Sequence, residues 1–135
     1  YFGYVLLIYR KLVMAKILGI GGIFFKSKDP GKLGDWYRKW LNLEIDDSFG
    51  GSVFQPSGYP KSGYTLWSPF KEATDYFDPT KSAYMINFIV DDLHGALKQV
   101  EAGGGELIGE PEDGEFGKFG WFLDPDGNKV ELWQP

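Results

Sequence analysis

Apolar positions in the first half of the chain follow two periods. Between residues 29 and 40, Leu33, Trp36, Tyr37 and Trp40 stand at i, i+3, i+4 and i+7, the spacing of one buried helix face. Asp29 is placed to cap the free amides of that helix, and Pro30 suits its first position. Upstream, residues 17–27 mix apolar and aromatic side chains with glycines, which predicts a long curved strand. Downstream, residues 43–45, 52–55 and 63–68 are short strand candidates separated by Gly, Pro, Ser and Asp turn signals. The first half therefore reads βαβββ.

The second half repeats the order. Residues 83–90 read as a strand, and Asp92 opens a helix with Leu93, Ala96, Leu97 and Val100 on one face, which Gly103-Gly104-Gly105 ends. Residues 106–109, 118–123 and 129–133 complete the set. Asp124-Pro125-Asp126-Gly127 joins the last two as a tight hairpin, since Pro presets the turn and Gly accepts a positive φ. The halves also share words: Thr65-Leu66-Trp67-Ser68-Pro69 is a degraded copy of Glu131-Leu132-Trp133-Gln134-Pro135. The expected organisation is a single domain over residues 14–135, with modules at 14–70 and 82–135 and a linker at 71–81. Residues 1–13 are apolar but meet Arg10 too early to span a bilayer, and their charges follow the apolar run, the reverse of a signal peptide. They read as an N-terminal extension, either upstream sequence or a cloning remnant, and the expected location is cytoplasmic.

Composition narrows the function classes. With 43% hydrophobic and 18% aromatic residues, 135 residues can build one real core. A net charge of −5 argues against a nucleic-acid or anionic-membrane surface. The lack of cysteine removes disulfides, thiolate metal sites and cysteine nucleophiles. The single histidine, His94, falls off the apolar face of the second helix and reads as a solvated residue, which leaves no basis for a Ser-His-Asp triad. Asp124, Asp126 and Asn128 begin like a calcium loop, but Lys129 and Pro135 stand where Gly and Glu belong. Gly19-Ile20-Gly21-Gly22 lacks the third glycine and the helix of a dinucleotide fingerprint. The acidic run Glu110, Glu112, Asp113 and Glu115 reads as a solvated loop.

The βαβββ-βαβββ order, Lys28-Asp29-Pro30 at the first helix, Phe88-Ile89-Val90-Asp91-Asp92-Leu93 at the second and Asp124-Pro125-Asp126-Gly127-Asn128-Lys129-Val130-Glu131-Leu132 at the end resemble the vicinal oxygen chelate superfamily. That group includes glyoxalases, bleomycin-resistance proteins and extradiol dioxygenases. The resemblance covers residues 16–135 and implies an α+β fold in which two βαβββ half-modules form a curved mixed-sheet cup with the helices outside. It also implies dimerisation, so a homodimer is expected. In the superfamily's metal enzymes, one residue from the first and one from the last strand of each half meet inside the cup. The equivalent positions here are Gly22, Thr65, Met85 and Glu131, of which only Glu131 is an ordinary hard-metal ligand. The resemblance thus points to a glyoxalase-like protein lacking most metal ligands, with no cofactor.

Two-residue alternation puts Phe24, Thr65, Trp67, Met85, Asn87, Lys129, Glu131 and Trp133 on the cup's inner face, and Ile23, Phe25, Ile86, Phe88, Val130 and Leu132 under the helices. An aromatic wall with few polar groups is the make-up of a small-molecule pocket. A buried Glu131 needs a partner, for which Lys129, Asn87, water or a ligand are candidates. The expected ligand-binding set is Phe24, Thr65, Trp67, Tyr76, Phe77, Met85, Asn87, Glu131 and Trp133, with Tyr76 and Phe77 of the linker as a lid. The expected function is metal-free binding or sequestration of a small aromatic, cationic or hydrogen-bond-donating molecule, as in the bleomycin-resistance proteins. Two alternatives stay open: a metal-dependent lyase or dioxygenase of the same superfamily, and an interaction module with a filled core. Enzymatic activity is left undecided, leaning against, with Glu131 as the candidate general base.

Overall fold

The computed structural model describes residues 2–6, 18, 20 and 22–135. Helix α1 (Pro30–Leu41) precedes strand β1 (Ile86–Ile89), helix α2 (Leu93–Ala102) and strands β2 (Glu106–Gly114), β3 (Gly117–Leu123) and β4 (Lys129–Gln134). The strands form one mixed sheet in the order β1-β4-β3-β2, with β1 parallel to β4 and the other pairs antiparallel. The class is α+β, and the second module has its expected connectivity.

Both helices start where their capping residues stand. The Asp29 carboxylate accepts from the Lys32 amide at 3.1 Å and the Asp92 carboxylate from the Gly95 amide at 3.1 Å, each satisfying a first-turn donor the helix leaves free. Helix α1 ends at Asn42, which takes the left-handed conformation, and α2 ends at Gly103. The helices are tied to each other by Trp36 Nε1 donating to the Gly103 carbonyl and Gln99 Nε2 donating to the Trp40 carbonyl, both at 2.8 Å.

The core lies between these helices and one face of the sheet. Leu33 and Tyr37 of α1 and Leu93, Ala96, Leu97 and Val100 of α2 pack with Phe122, Val130 and Leu132, and Phe88 joins from β1. Phe122, Leu93, Leu132, Val100 and Val130 are fully buried, each stabilising the fold by about 1.5–3 kcal/mol relative to exposure. A side chain at Gly120 would come within 2.8 Å of Leu97, so glycine there lets α2 lie close on β3.

Three expectations need correction. Residues 43–45, 52–55 and 63–68 are not in sheet strands, and neither are the described residues between 18 and 27. Among the described residues, the first half's β pairing is an isolated bridge between Asp46 and Gly51. Asp46 there accepts from the Ser48 amide at 2.9 Å and hydroxyl at 2.6 Å, a local turn that competes with a ladder. Short segments of this kind hold a ladder only with a face to bury, and Val53, Phe54, Leu66 and Trp67 are exposed instead. Secondly, the acidic run expected as a loop largely belongs to β2. Ile108 pairs with Trp121 and Glu112 with Phe119, so β2 spends more residues than β3 over that stretch and absorbs Gly109 and Pro111 as a bulge. Its exposed charges then guard the sheet's edge. Thirdly, Ile23 and Phe25 lie exposed rather than under the helices. Of the N-terminal extension, residues 2–6 are helical, and 1 and 7–13 lie outside the described residues. Among the described residues no helix is long and apolar enough to cross a membrane.

Candidate functional site

The sheet's other face carries a buried carboxylate. Strand alternation turns Val130 and Leu132 toward the helices and Lys129, Glu131 and Trp133 to the opposite side. The register then sets Glu131 between Asn87 of β1 and Trp121 of β3. Glu131 is only 8% exposed. Its Oε1 accepts from Asn87 Nδ2 at 2.6 Å, and its Oε2 accepts from Trp121 Nε1 at 2.7 Å and from the Tyr76 hydroxyl. A carboxylate has about four lone-pair directions, so three donors from separate parts of the chain nearly saturate it.

Tyr76 reaches Glu131 from the linker. Its ring stacks on Phe70 at 5.5 Å and meets Trp121 edge-on at 6.1 Å. Burial, then the hydrogen bond to Glu131, raises the Tyr76 pKa well above the ordinary tyrosine value, so it stays a neutral donor. Lys129, a candidate partner of Glu131, instead donates to the Tyr76 carbonyl at 2.7 Å. Its ammonium lies 5.5 Å from the Tyr76 ring centre and 6.0 Å from that of Trp121. Further along the same face, Trp133 stacks with Phe119 at 6.1 Å, meets Tyr64 at 4.9 Å and donates its indole N–H to the Phe116 carbonyl at 2.7 Å.

The nine residues nominated from sequence therefore separate into groups. Tyr76, Asn87 and Glu131 are in direct contact, and Trp133 lies on the same strand face, already packed. Phe77 and Met85 line a neighbouring cleft of about 590 Å³, bounded by residues in and on either side of the linker, including Phe70, Lys71, Lys81 and Tyr84. Thr65 is exposed and 3.4 Å from the Tyr59 hydroxyl, while Phe24 and Trp67 are 96% and 78% exposed, and none of the three is among the residues that bond to Glu131. A second, apolar cleft of about 70 Å³ between α1 and β1, lined by Tyr37, Leu41, Phe54 and Phe88, is below ligand size. Trp121 escaped the sequence reading, although a signal existed: counting outward from the Asp124–Gly127 hairpin pairs it with Glu131.

A metal does not fit this donor set. Of the four positions where the superfamily's enzymes carry ligands, Gly22 has no side chain, Thr65 offers only an exposed hydroxyl beside that of Tyr59, and Met85 is a soft thioether. Glu131 directs its lone pairs at N–H and O–H donors. Among the described residues no three His, Cys, Asp or Glu side chains come together as a metal cage. His94 is exposed on α2.

A mixed sheet of βαβββ connectivity, with helices on one face and a last-strand carboxylate on the other, is the arrangement the sequence resemblance to glyoxalase-like proteins implies for the second module. Residues 22–133 match the glyoxalase-like domain family, and the chain belongs to that family, within the vicinal oxygen chelate superfamily. Among solved structures, a member of the glyoxalase/bleomycin resistance protein/dioxygenase superfamily from Sphaerobacter thermophilus is 25% identical, with 91% of this chain and 100% of that one covered at a TM-score of 0.49. A protein of unknown function from Agrobacterium tumefaciens is 21% identical, covering 92% and 98% at 0.49, and a hypothetical protein from S. aureus is 14% identical, covering 86% and 95% at 0.49. The family assignment rests on the domain match and not on these likenesses. No curated protein matches the chain.

Proposed function

We propose that this protein binds a small aromatic molecule against the inner face of its sheet, without a metal, and holds it rather than transforming it. The observation that carries the reading is Glu131, a buried carboxylate gripped by side-chain donors from the linker, β1 and β3 beneath aromatic rings. A buried charge held this way orients whatever polar group reaches it, and the surrounding rings supply dispersion. The same bonds speak against general-base chemistry. A general base needs a lone pair free toward substrate, and Glu131 has most of its own engaged.

The nature of the ligand follows from the charges around it. Lys129 already lies over the rings of Tyr76 and Trp121, so a cationic ligand there would meet a like charge. This favours a neutral hydrogen-bond donor over an aromatic cation. Binding should quench or shift the fluorescence of Trp121 and Trp133, and titration with a chemically diverse panel of small aromatic molecules checks it. No response from any member would overturn the reading.

A further inference from the structure

We propose that the Tyr76 side chain stands in the ligand's own place, and that the site takes a small neutral phenol-type molecule whose hydroxyl replaces that of Tyr76 on Glu131. This rests on the reading that the inner face binds an aromatic molecule, and adds the ligand's class and what it displaces.

The recognition is two-part. The Tyr76 hydroxyl donates to Glu131, while Asn87 and Trp121 hold that carboxylate in position from either side. The ring is recognised separately by Phe70, Trp121 and the Lys129 ammonium. A free phenol presents the same ring and the same donor. The neighbouring charges select its neutral form, because a phenolate would face Glu131 and an aromatic cation would face Lys129.

Tyr76 is also the one of Glu131's three donors that lies outside the sheet. Asn87 and Trp121 are fixed in the sheet, whereas Tyr76 sits in a run of turns closed by the local bonds Lys71 to Thr74, Asp75 to Asp78 and Phe77 to Thr80. Its backbone amide bonds to Thr74 two residues away. Swinging its side chain out breaks no ladder bond and leaves its carbonyl in place to accept from Lys129, and the residue is already 37% exposed.

The test is a titration of the wild-type protein with 4-methylphenol and, separately, with toluene, which has the ring and methyl group without the hydroxyl. The readout is the Trp121 indole N–H resonance, identified by its loss in Trp121→Phe. The expected result is that 4-methylphenol shifts this resonance and binds about tenfold or more tightly than toluene, the difference a hydrogen bond to a charged group makes. Tyr76→Gly, which vacates the position, is expected to bind 4-methylphenol about tenfold more tightly than the wild type. If that variant does not fold, Tyr76→Phe, which frees Glu131 while keeping the ring, is expected to tighten binding as well. No shift in the wild type, equal affinity for toluene, or no tightening in the folded variant would each overturn the proposal. Binding of hydroxyl-free aromatics alone would sink the ligand class and leave the binding reading standing, whereas silence from every aromatic would sink both.

Discussion

Two carboxylates of the second module are buried to nearly the same extent, Asp124 at 7% exposure and Glu131 at 8%, and each accepts from a tyrosine outside that module's regular elements. Their other donors differ. Asp124 takes the amides of Asp126 and Asn128 and the Asn128 side chain, all within the hairpin and all at 2.9 Å. Among the described residues, the Glu131 carboxylate accepts only from side chains, of the linker, β1 and β3. Donors close in sequence shape a turn and are present whenever the turn forms. Donors gathered from distant elements exist only in the finished fold and can be exchanged for a ligand's. The first carboxylate is part of the scaffold, and the second is the candidate site.

The largest effect should come from Asp124→Ala. It strands two hairpin amides and the buried Tyr37 hydroxyl, which donates to Asp124 at 2.9 Å. A loss of about 3 kcal/mol in unfolding stability is expected in urea denaturation, since each unsatisfied buried donor costs about 1–3 kcal/mol. A loss within experimental error would break the comparison on its scaffold side.

Tyr37→Phe removes one bond from the same carboxylate and leaves its three hairpin donors, so about 1–2 kcal/mol is expected. The variant also has a pH signature. Burial first, then Asp124, raises the Tyr37 pKa above its ordinary 10.0. Below pH 10 both the folded and unfolded states hold the proton and the contribution is complete. Above it the unfolded chain releases the proton while the folded one keeps it, so stability falls by up to about 1.4 kcal/mol per pH unit for this group. Tyr76 is shifted the same way and adds to the wild-type slope, so the difference between wild type and Tyr37→Phe isolates Tyr37. Parallel stability profiles from pH 9 to 11 would show that Tyr37 is not held as described.

How much of this was legible in the sequence depended on whether the signal was local. Asp29, Asp92 and the Asp124 hairpin were readable because a cap or turn is decided within a few residues. The division of β4 into Val130 and Leu132 against Glu131 and Trp133 was readable from alternation alone. Alternation does not name a strand's partner, however, and the first-half segments satisfy the pattern without forming a ladder. Trp67 and Trp133 occupy matching places in the repeated words, yet one is 78% exposed and the other is buried against Phe119 and Tyr64. At the site, Asn87 was readable as a partner of Glu131, but the Tyr76 contact bridges the linker and β4 and no spacing rule encodes it.

The smallest stability change, and the sharpest test of the comparison, belongs to Glu131→Gln. Glutamine keeps the shape and one carbonyl oxygen. Set on the Oε2 side, that oxygen still accepts from Tyr76 and Trp121, and Asn87 can turn its amide to accept from the new N–H₂. Because the network re-forms without its charge, a stability change of about 1 kcal/mol or less is expected. Ligand discrimination should change far more, because a hydrogen bond to a neutral amide is roughly half as strong as one to a carboxylate. The preference for 4-methylphenol over toluene should therefore fall toward parity while urea unfolding barely moves. If Glu131→Gln were instead as destabilising as Asp124→Ala and left that preference intact, Glu131 would be a second scaffold carboxylate.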